Sequence, residues 1–341
     1  MELERPDLSQ VAPEVVAYIE ALEAELAKFN DAVQPERTPE PQEPPTTINV
    51  ISLSQHGRAK RTPRHFYGRQ RRAGMGVFDL ETTPPFFPAH LALADEEGHL
   101  LLISNHGRAF RLPVNSLVET PVRAAGSLAL GSLSLRENEQ IAGILPADSG
   151  KYLVMVSQRG WVQRVRDGYL GKSLINGMSF HNVKEGGLIT AVCWTQGDGD
   201  LFIATRQGKG IRFRESQASE RGCLGLRVEL GDEVAAVTAV YPHSRVFMIT
   251  HDGKGTVRQM ETFAANKAPG AGGKAVMKTE KLIGALTVND GDDLFIISQL
   301  GKIIRFPADD VPAKEGAVQG VNCMALRNDE VTAVTITKSA S

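Results

Sequence analysis

The chain has 341 residues, 42% of them hydrophobic, with 38 Lys/Arg against 40 Asp/Glu, which is enough length and apolar content for a large buried core. No apolar run approaches the roughly 18 residues of a membrane span, and the opening MELERPDLSQ has neither the basic start nor the apolar stretch of a secretory signal, so a cytoplasmic location is expected and a membrane partner is not. Cys193, Cys223 and Cys323 are far apart and odd in number, which reads as buried thiols in a reducing compartment.

The net charge of −2 conceals a division. Residues 1–47 hold three Lys/Arg against eleven Asp/Glu, whereas the rest of the chain is basic, 35 against 29. Within 1–33, Pro13 suits a first helical turn, and Val15, Ile19, Leu22, Leu26 and Phe29 follow at helical spacing. A short helix is expected there, its apolar stripe free to pair with another helix or to dock on the rest of the chain. Residues 34–47 contain five prolines and no apolar cluster, the composition of an extended linker.

From residue 48 to 341 a single pattern repeats six times: an apolar run, a Gly turn, and an Arg-bearing second run. The turn glycines are Gly57, Gly107, Gly160, Gly208, Gly253 and Gly301, spaced by 45 to 53 residues. Each unit predicts a hairpin, followed by two further short strands such as those in GGLITAVCWTQGDGD and EVAAVTAVYPHS. Four strands per period, none able to bury both faces alone, predict an all-β, six-bladed propeller. The alternative is two three-unit β domains in series.

The first unit is unusually basic: Ile48 to Phe78 contains seven Lys/Arg and no Asp or Glu, a local positive potential suited to phosphate backbones. Here Gln70-Arg71-Arg72-Ala73-Gly74-Met75-Gly76 resembles the box heptapeptide QRRGGKG of the C-terminal domain of the bacterial DNA gyrase A protein. Ser52–Gly57 and Lys60-Arg61-Thr62-Pro63 also resemble that family's first blade, and the likeness in period and pattern runs through residues 48–341. The resemblance to the gyrase A and topoisomerase IV A C-terminal domains implies a β-pinwheel, a propeller whose blades exchange strands, with a basic rim around which duplex DNA bends. It also implies a non-catalytic, nucleoid-associated protein acting with a type II topoisomerase or as an architectural factor. The segment upstream of residue 48 is too short for a DNA-cleaving domain, so a stand-alone version of that domain is expected. Two positions depart from the box: Ala73 replaces a glycine and Met75 a basic residue, which removes one phosphate contact and argues against tight wrapping.

Three groups of residues are expected to meet DNA. Arg58, Lys60, Arg64, Arg69, Arg71 and Arg72 have no acidic neighbours in sequence, Gln70 belongs to the box, and Gly74 and Gly76 would admit phosphate to the backbone N–H groups. Four residues past the turn glycines stand Arg61, Arg111, Arg164, Arg212 and Arg305, with Arg258 one place later, a ring that either faces DNA or pairs with acids of neighbouring blades. Lys172 and Lys274, beside glycines in the later units, would add secondary contacts. No cofactor, metal site or catalytic residue is expected: Ala268 and Ala275 stand where a P-loop needs Gly and Ser/Thr, and paired Cys/His spacing is absent. A protein-interaction propeller is the second reading, and an enzyme with its site on the central axis a third.

Overall fold

The computed structural model describes residues 11–12, 14–22 and 43–337. Two compact units divide the chain near residue 40. In the first, residues 14–22 are helical, and Val15, Tyr18 and Leu22 are exposed. Leu26 and Phe29 of the expected stripe lie outside the described residues.

The second unit is built from six sheets. Every turn closes in the same way. A Ser or Thr three residues before the turn glycine accepts the N–H of the residue after it, as Ser54 Oγ does from Arg58 (3.0 Å) and Ser298 Oγ from Lys302 (3.2 Å). All six hairpins carry this bond. The turn glycine sits at positive φ, +86° at Gly57 and +77° at Gly301, a conformation that costs glycine nothing sterically. A Ser/Thr-x-x-Gly tetrad therefore specifies the hairpin locally.

Blade 1 comprises the hairpin Ile48–Ser54/Arg58–Pro63 and the inner strand Pro88–Asp95, and its outer strand, Ser127–Leu128, comes from the next unit. The exchange repeats around the ring: Met178–Ser179 completes blade 2, Cys223–Leu224 blade 3, Lys274–Ala275 blade 4 and Val321–Asn322 blade 5. Blade 6, the hairpin Asp293–Ser298/Lys302–Pro307 with inner strand Val331–Thr337, receives Val77–Phe78 from the first unit. The chain thus closes its own ring, with the segment just after the box as the closing strand. The exchange answers the edge problem: each outer edge strand is only two residues long, too short to template another chain.

Apolar residues of the long strands fill the seams between blades, as where Leu101 and Ile103 of blade 2 meet Leu153 and Met155 of blade 3. Near the axis, inner strands are linked across blades by backbone bonds such as Ile189 N–H to Asn105 O (2.8 Å) and Val331 N–H to His251 O (2.8 Å). Blade 1 breaks this circuit, because the equivalent residue is Pro88, which has no N–H. At the seam of blades 1 and 2 a side chain makes the bridge, His90 Nε2–H donating to Ile141 O at 2.9 Å. Burial pushes the His90 pKa down to about 4, which keeps the ring neutral.

Cys323 is buried, while Cys193 and Cys223 are half-buried, less enclosed than the sequence suggested. Among the described residues, no helix is long and apolar enough to cross a membrane.

Candidate nucleic-acid interface

The box is positioned by the strand it precedes. Val77–Phe78 must lie along Ile303 and Lys302, so the preceding loop is carried across the rim of blade 6 and onto the segment that completes blade 5. Gln70 N–H donates to Arg305 O (2.7 Å), Ala73 N–H to Cys323 O (3.0 Å), and Ala325 N–H to Gly74 O (2.9 Å). Arg72 Nη1 donates to Asn322 O at 2.6 Å. Arg71 is exposed and Arg72 half-exposed.

The two box glycines have a different task from the one expected. The N–H of Gly74 is taken by Arg71 O at 3.1 Å. A Cβ on Gly76, which has φ +76°, would stand 2.7 Å from Ile303 O, so this glycine lets the loop lie against blade 6 rather than admitting phosphate. Ala73 adopts φ +66°, keeping the backbone shape of a glycine at a steric cost of about 1–2 kcal/mol. Ala73→Gly is expected to raise stability by about 0.5–1 kcal/mol, the relief exceeding glycine's larger unfolded-state entropy; the midpoint of urea unfolding checks this.

The other basic residues of the first unit divide by partner. Lys60 is 2% exposed and cannot meet DNA: its Nζ donates to Asp79 Oδ1 (2.6 Å) and Thr62 Oγ1 (2.7 Å). Burial lowers its pKa and Asp79 opposes the shift. The apparent lack of acids near this region is overturned by distant segments. Arg64 pairs with Glu43 (2.9 Å) and donates to Thr337 Oγ1, and Arg69 pairs with Asp293 (3.0 Å) while leaving much of its side chain exposed. Burial alone would raise the Glu43 carboxyl, but bonds from Arg305 and Arg64 outweigh it and hold the pKa below the usual range. Thr47 Oγ1 also bonds Asp95, so the end of the expected linker is held on the propeller. Arg58 lies over the Phe86 ring at 4.4 Å.

The arginine ring points inward. Arg61, Arg111, Arg164, Arg212 and Arg305 each donate to the carbonyl that follows a three-residue 3-10 turn in the next unit: Leu117 (3.0 Å), Leu170 (3.4 Å), Ala218 (2.8 Å), Phe263 (3.2 Å) and Tyr67 (2.9 Å). All five also pair with carboxylates, respectively of Glu119, Asp148, Glu215, Asp200 and Asp293. The carbonyl bonds staple each blade to the exchanging segment of the next unit; of the acids, Glu119 and Glu215 come from that unit, whereas Asp148, Asp200 and Asp293 belong to the arginine's own blade. Arg258 does not join them. One place later on the strand it faces the opposite way, toward blade 4, where it is 7% exposed.

Lys172 and Lys274 are exposed on the segments added to blades 2 and 4. The rim is consequently uneven. The segment over blade 6, residues 64–78, has four arginines and no acid, whereas residues 308–322 over blade 5 carry Asp309, Asp310 and Glu315 against Lys314. Sequence reasoning missed Glu43, Asp79 and Asp293, the acids that neutralise parts of the basic block; only Asp79, one residue past the block, was near enough to signal itself.

The sequence model described as "DNA gyrase C-terminal domain, beta-propeller" matches residues 49–82, 98–148, 199–240 and 292–338, just over half of the chain. The DNA gyrase A protein of Staphylococcus aureus strain NCTC 8325 is 27% identical over 322 residues, covering 90% of this chain and 36% of that protein, and its counterpart in strain COL is 27% identical over 295 residues, covering 82% and 33%. The chain thus spans about a third of the length of these relatives. The solved DNA gyrase A C-terminal domain superposes with a TM-score of 0.72 at 18% identity, over 85% of this chain and 99% of that one. The C-terminal domain of DNA topoisomerase IV gives 0.60 at 16% identity, over 86% and 94%. With six strand-exchanging blades and a box that closes the ring, this chain belongs to the DNA gyrase C-terminal β-propeller family.

Proposed function

We propose that the protein binds and bends duplex DNA on its rim and performs no catalysis itself. The observation that carries this reading is the box, an acid-free run laid across the rim where the ring closes, with Arg71 exposed and Arg72 half-exposed. Arg71 and Arg72 lead the contact, with Arg69, Arg64, Arg58 and Gln70 beside them and Lys172 and Lys274 as secondary points. Counterion release at each phosphate supplies the affinity and offsets the cost of bending.

The uneven rim favours bending in one sector over a full wrap. The five inward arginines supply no outward charge, and the acids over blade 5 interrupt any continuous path. DNA supercoiling in the cytoplasm, in company with a type II topoisomerase on the nucleoid, is the setting we infer from the family. The helix at residues 14–22, with its exposed Val15 and Leu22, serves self-association.

A second reading, a protein-interaction propeller, is favoured by Val118 and Leu128 on blade 1 and Tyr169 and Ile175 on blade 2, which are 60–73% exposed. DNA topology separates the two. Nicked circular plasmid is incubated with the protein, ligated and stripped, and the linking number is read at several salt concentrations. We expect salt-sensitive binding with little linking-number change. A large positive change would replace bending by wrapping, and no binding at low salt would leave the protein-interaction reading.

A further inference from the structure

The box departs from the family heptapeptide at Met75, where the heptapeptide has a lysine, and the structure turns that departure toward solvent. Exposure alternates along the loop: Arg69, Arg71, Ala73 and Met75 are exposed, whereas Gln70, Arg72, Gly74 and Gly76 are partly covered. The exposed set therefore runs cation, cation, methyl, thioether. Met75 is 55% exposed, and no acid accompanies it from Arg64 to Phe78.

The backbone on both sides of Met75 is held. Residues 71–74 form a tight turn closed by Gly74 N–H donating to Arg71 O at 3.1 Å, and Ala325 N–H donates to Gly74 O at 2.9 Å. Beyond Met75, a Cβ on Gly76 would stand 2.7 Å from Ile303 O and 3.1 Å from the Met324 methyl, so the chain lies directly against the blades. Met75 is thus a flexible apolar side chain on a fixed base. Other exposed apolar side chains of the rim, such as Leu128 and Ile175, belong to segments that contain Glu119 and Asp167. Phe78, at the end of the same acid-free run, is tied into the strand that closes the ring. Met75 is therefore the large apolar group of the basic loop itself.

A lysine at this place would be drawn to a phosphate, and a thioether is not. What duplex DNA offers a long apolar side chain is the gap between neighbouring base pairs, reached from the minor groove. Proteins that bend DNA use such side chains as wedges that partly unstack one base step, with nearby cations holding the backbone. Methionine suits the task because it is unbranched, has three rotatable bonds and carries a polarizable sulfur. Pyrimidine–purine steps unstack most easily.

We propose that Met75 is a DNA wedge: with Arg71 on a neighbouring phosphate, it enters the minor groove, opens a pyrimidine–purine step and localises the bend there. This rests on the DNA-binding reading above, and adds to it the means of bending and a preference among sequences.

The test uses the full chain and two short duplexes of equal length, one with a single central TpA step and one with no pyrimidine–purine step. Each carries 2-aminopurine in place of one central adenine and a donor–acceptor pair at its ends. With wild type, 2-aminopurine fluorescence should rise roughly threefold at the TpA step, the ends should approach each other, and the TpA duplex should be preferred roughly fivefold. Met75→Ala should lose the fluorescence rise and the preference. Met75→Lys should lose them too, and steepen the slope of log K against log salt by about 0.9 through an added phosphate contact. Leu128→Ala, an exposed apolar change outside the box, should alter neither. Wild-type binding without a fluorescence rise, or a rise that persists in Met75→Ala, would make Met75 an inert surface side chain and overturn the wedge while the DNA-binding reading stands. No binding to either duplex at low salt would overturn both.

Discussion

If the rim binds duplex DNA as proposed, replacing Arg71 and Arg72 together by glutamate is expected to lower the affinity by roughly 10–100-fold at low salt, with the fold retained. Both side chains stand on the rim, and the hydrogen bond of Arg72 to Asn322 O is made at an exposed site, so their loss removes phosphate contacts without opening the core. The salt dependence should weaken with the affinity, because each lost phosphate contact removes about 0.9 from the slope of log K against log salt. Filter binding or fluorescence anisotropy at several salt concentrations reads both quantities. Equal affinity of the double variant and wild type would exclude the box as the DNA contact and favour the protein-interaction reading. Lys60→Glu is not an equivalent substitution, since that lysine is inside the ring and its loss acts on stability.

Breaking the Lys60–Asp79 pair has the largest expected effect on stability. Both side chains are 2% exposed, and removing one partner strands a charge in the seam that closes the ring. Lys60→Met or Asp79→Leu alone should cost about 3–5 kcal/mol. The double replacement should recover most of that loss, because an apolar pair in a dry seam leaves no charge to solvate and only the Tyr67 hydroxyl to satisfy, Thr62 keeping its bond to Thr120 O. Urea unfolding of the two single variants and the double variant forms the cycle that isolates the pair. Additive losses in the double variant would show that the two groups act independently of one another.

Such pairing explains why charge in this sequence is a poor guide to surface. The block from Ile48 to Phe78 has no acid of its own, yet Lys60, Arg64 and Arg69 find partners at Asp79, Glu43 and Asp293. Arg69 and Asp293 are 224 residues apart, a separation that nothing in local composition reports. The same limit applies to Arg258. Its offset of one residue from the other five was visible in the spacing, but the consequence, reversal from one seam to the next, follows from the two-residue period of a strand and needs the neighbouring blades in place.

What the sequence determined by itself is local. The Ser/Thr-x-x-Gly tetrads specify the six hairpins because the turn bond and the positive φ involve residues within four positions of each other. Their repetition sets the number of blades, and the box identifies the family. Tertiary structure alone decided which basic residues face water. An arginine at the same place in every repeat is equally compatible with a rim contact and an interior staple, and the choice rests on whether a carbonyl from the next unit and a carboxylate arrive beside it. At Arg61, Arg111, Arg164, Arg212 and Arg305 they do. A buried guanidinium is costly without such partners, so packing between units, rather than the charge itself, divides the staples of the ring from the residues left exposed on the rim.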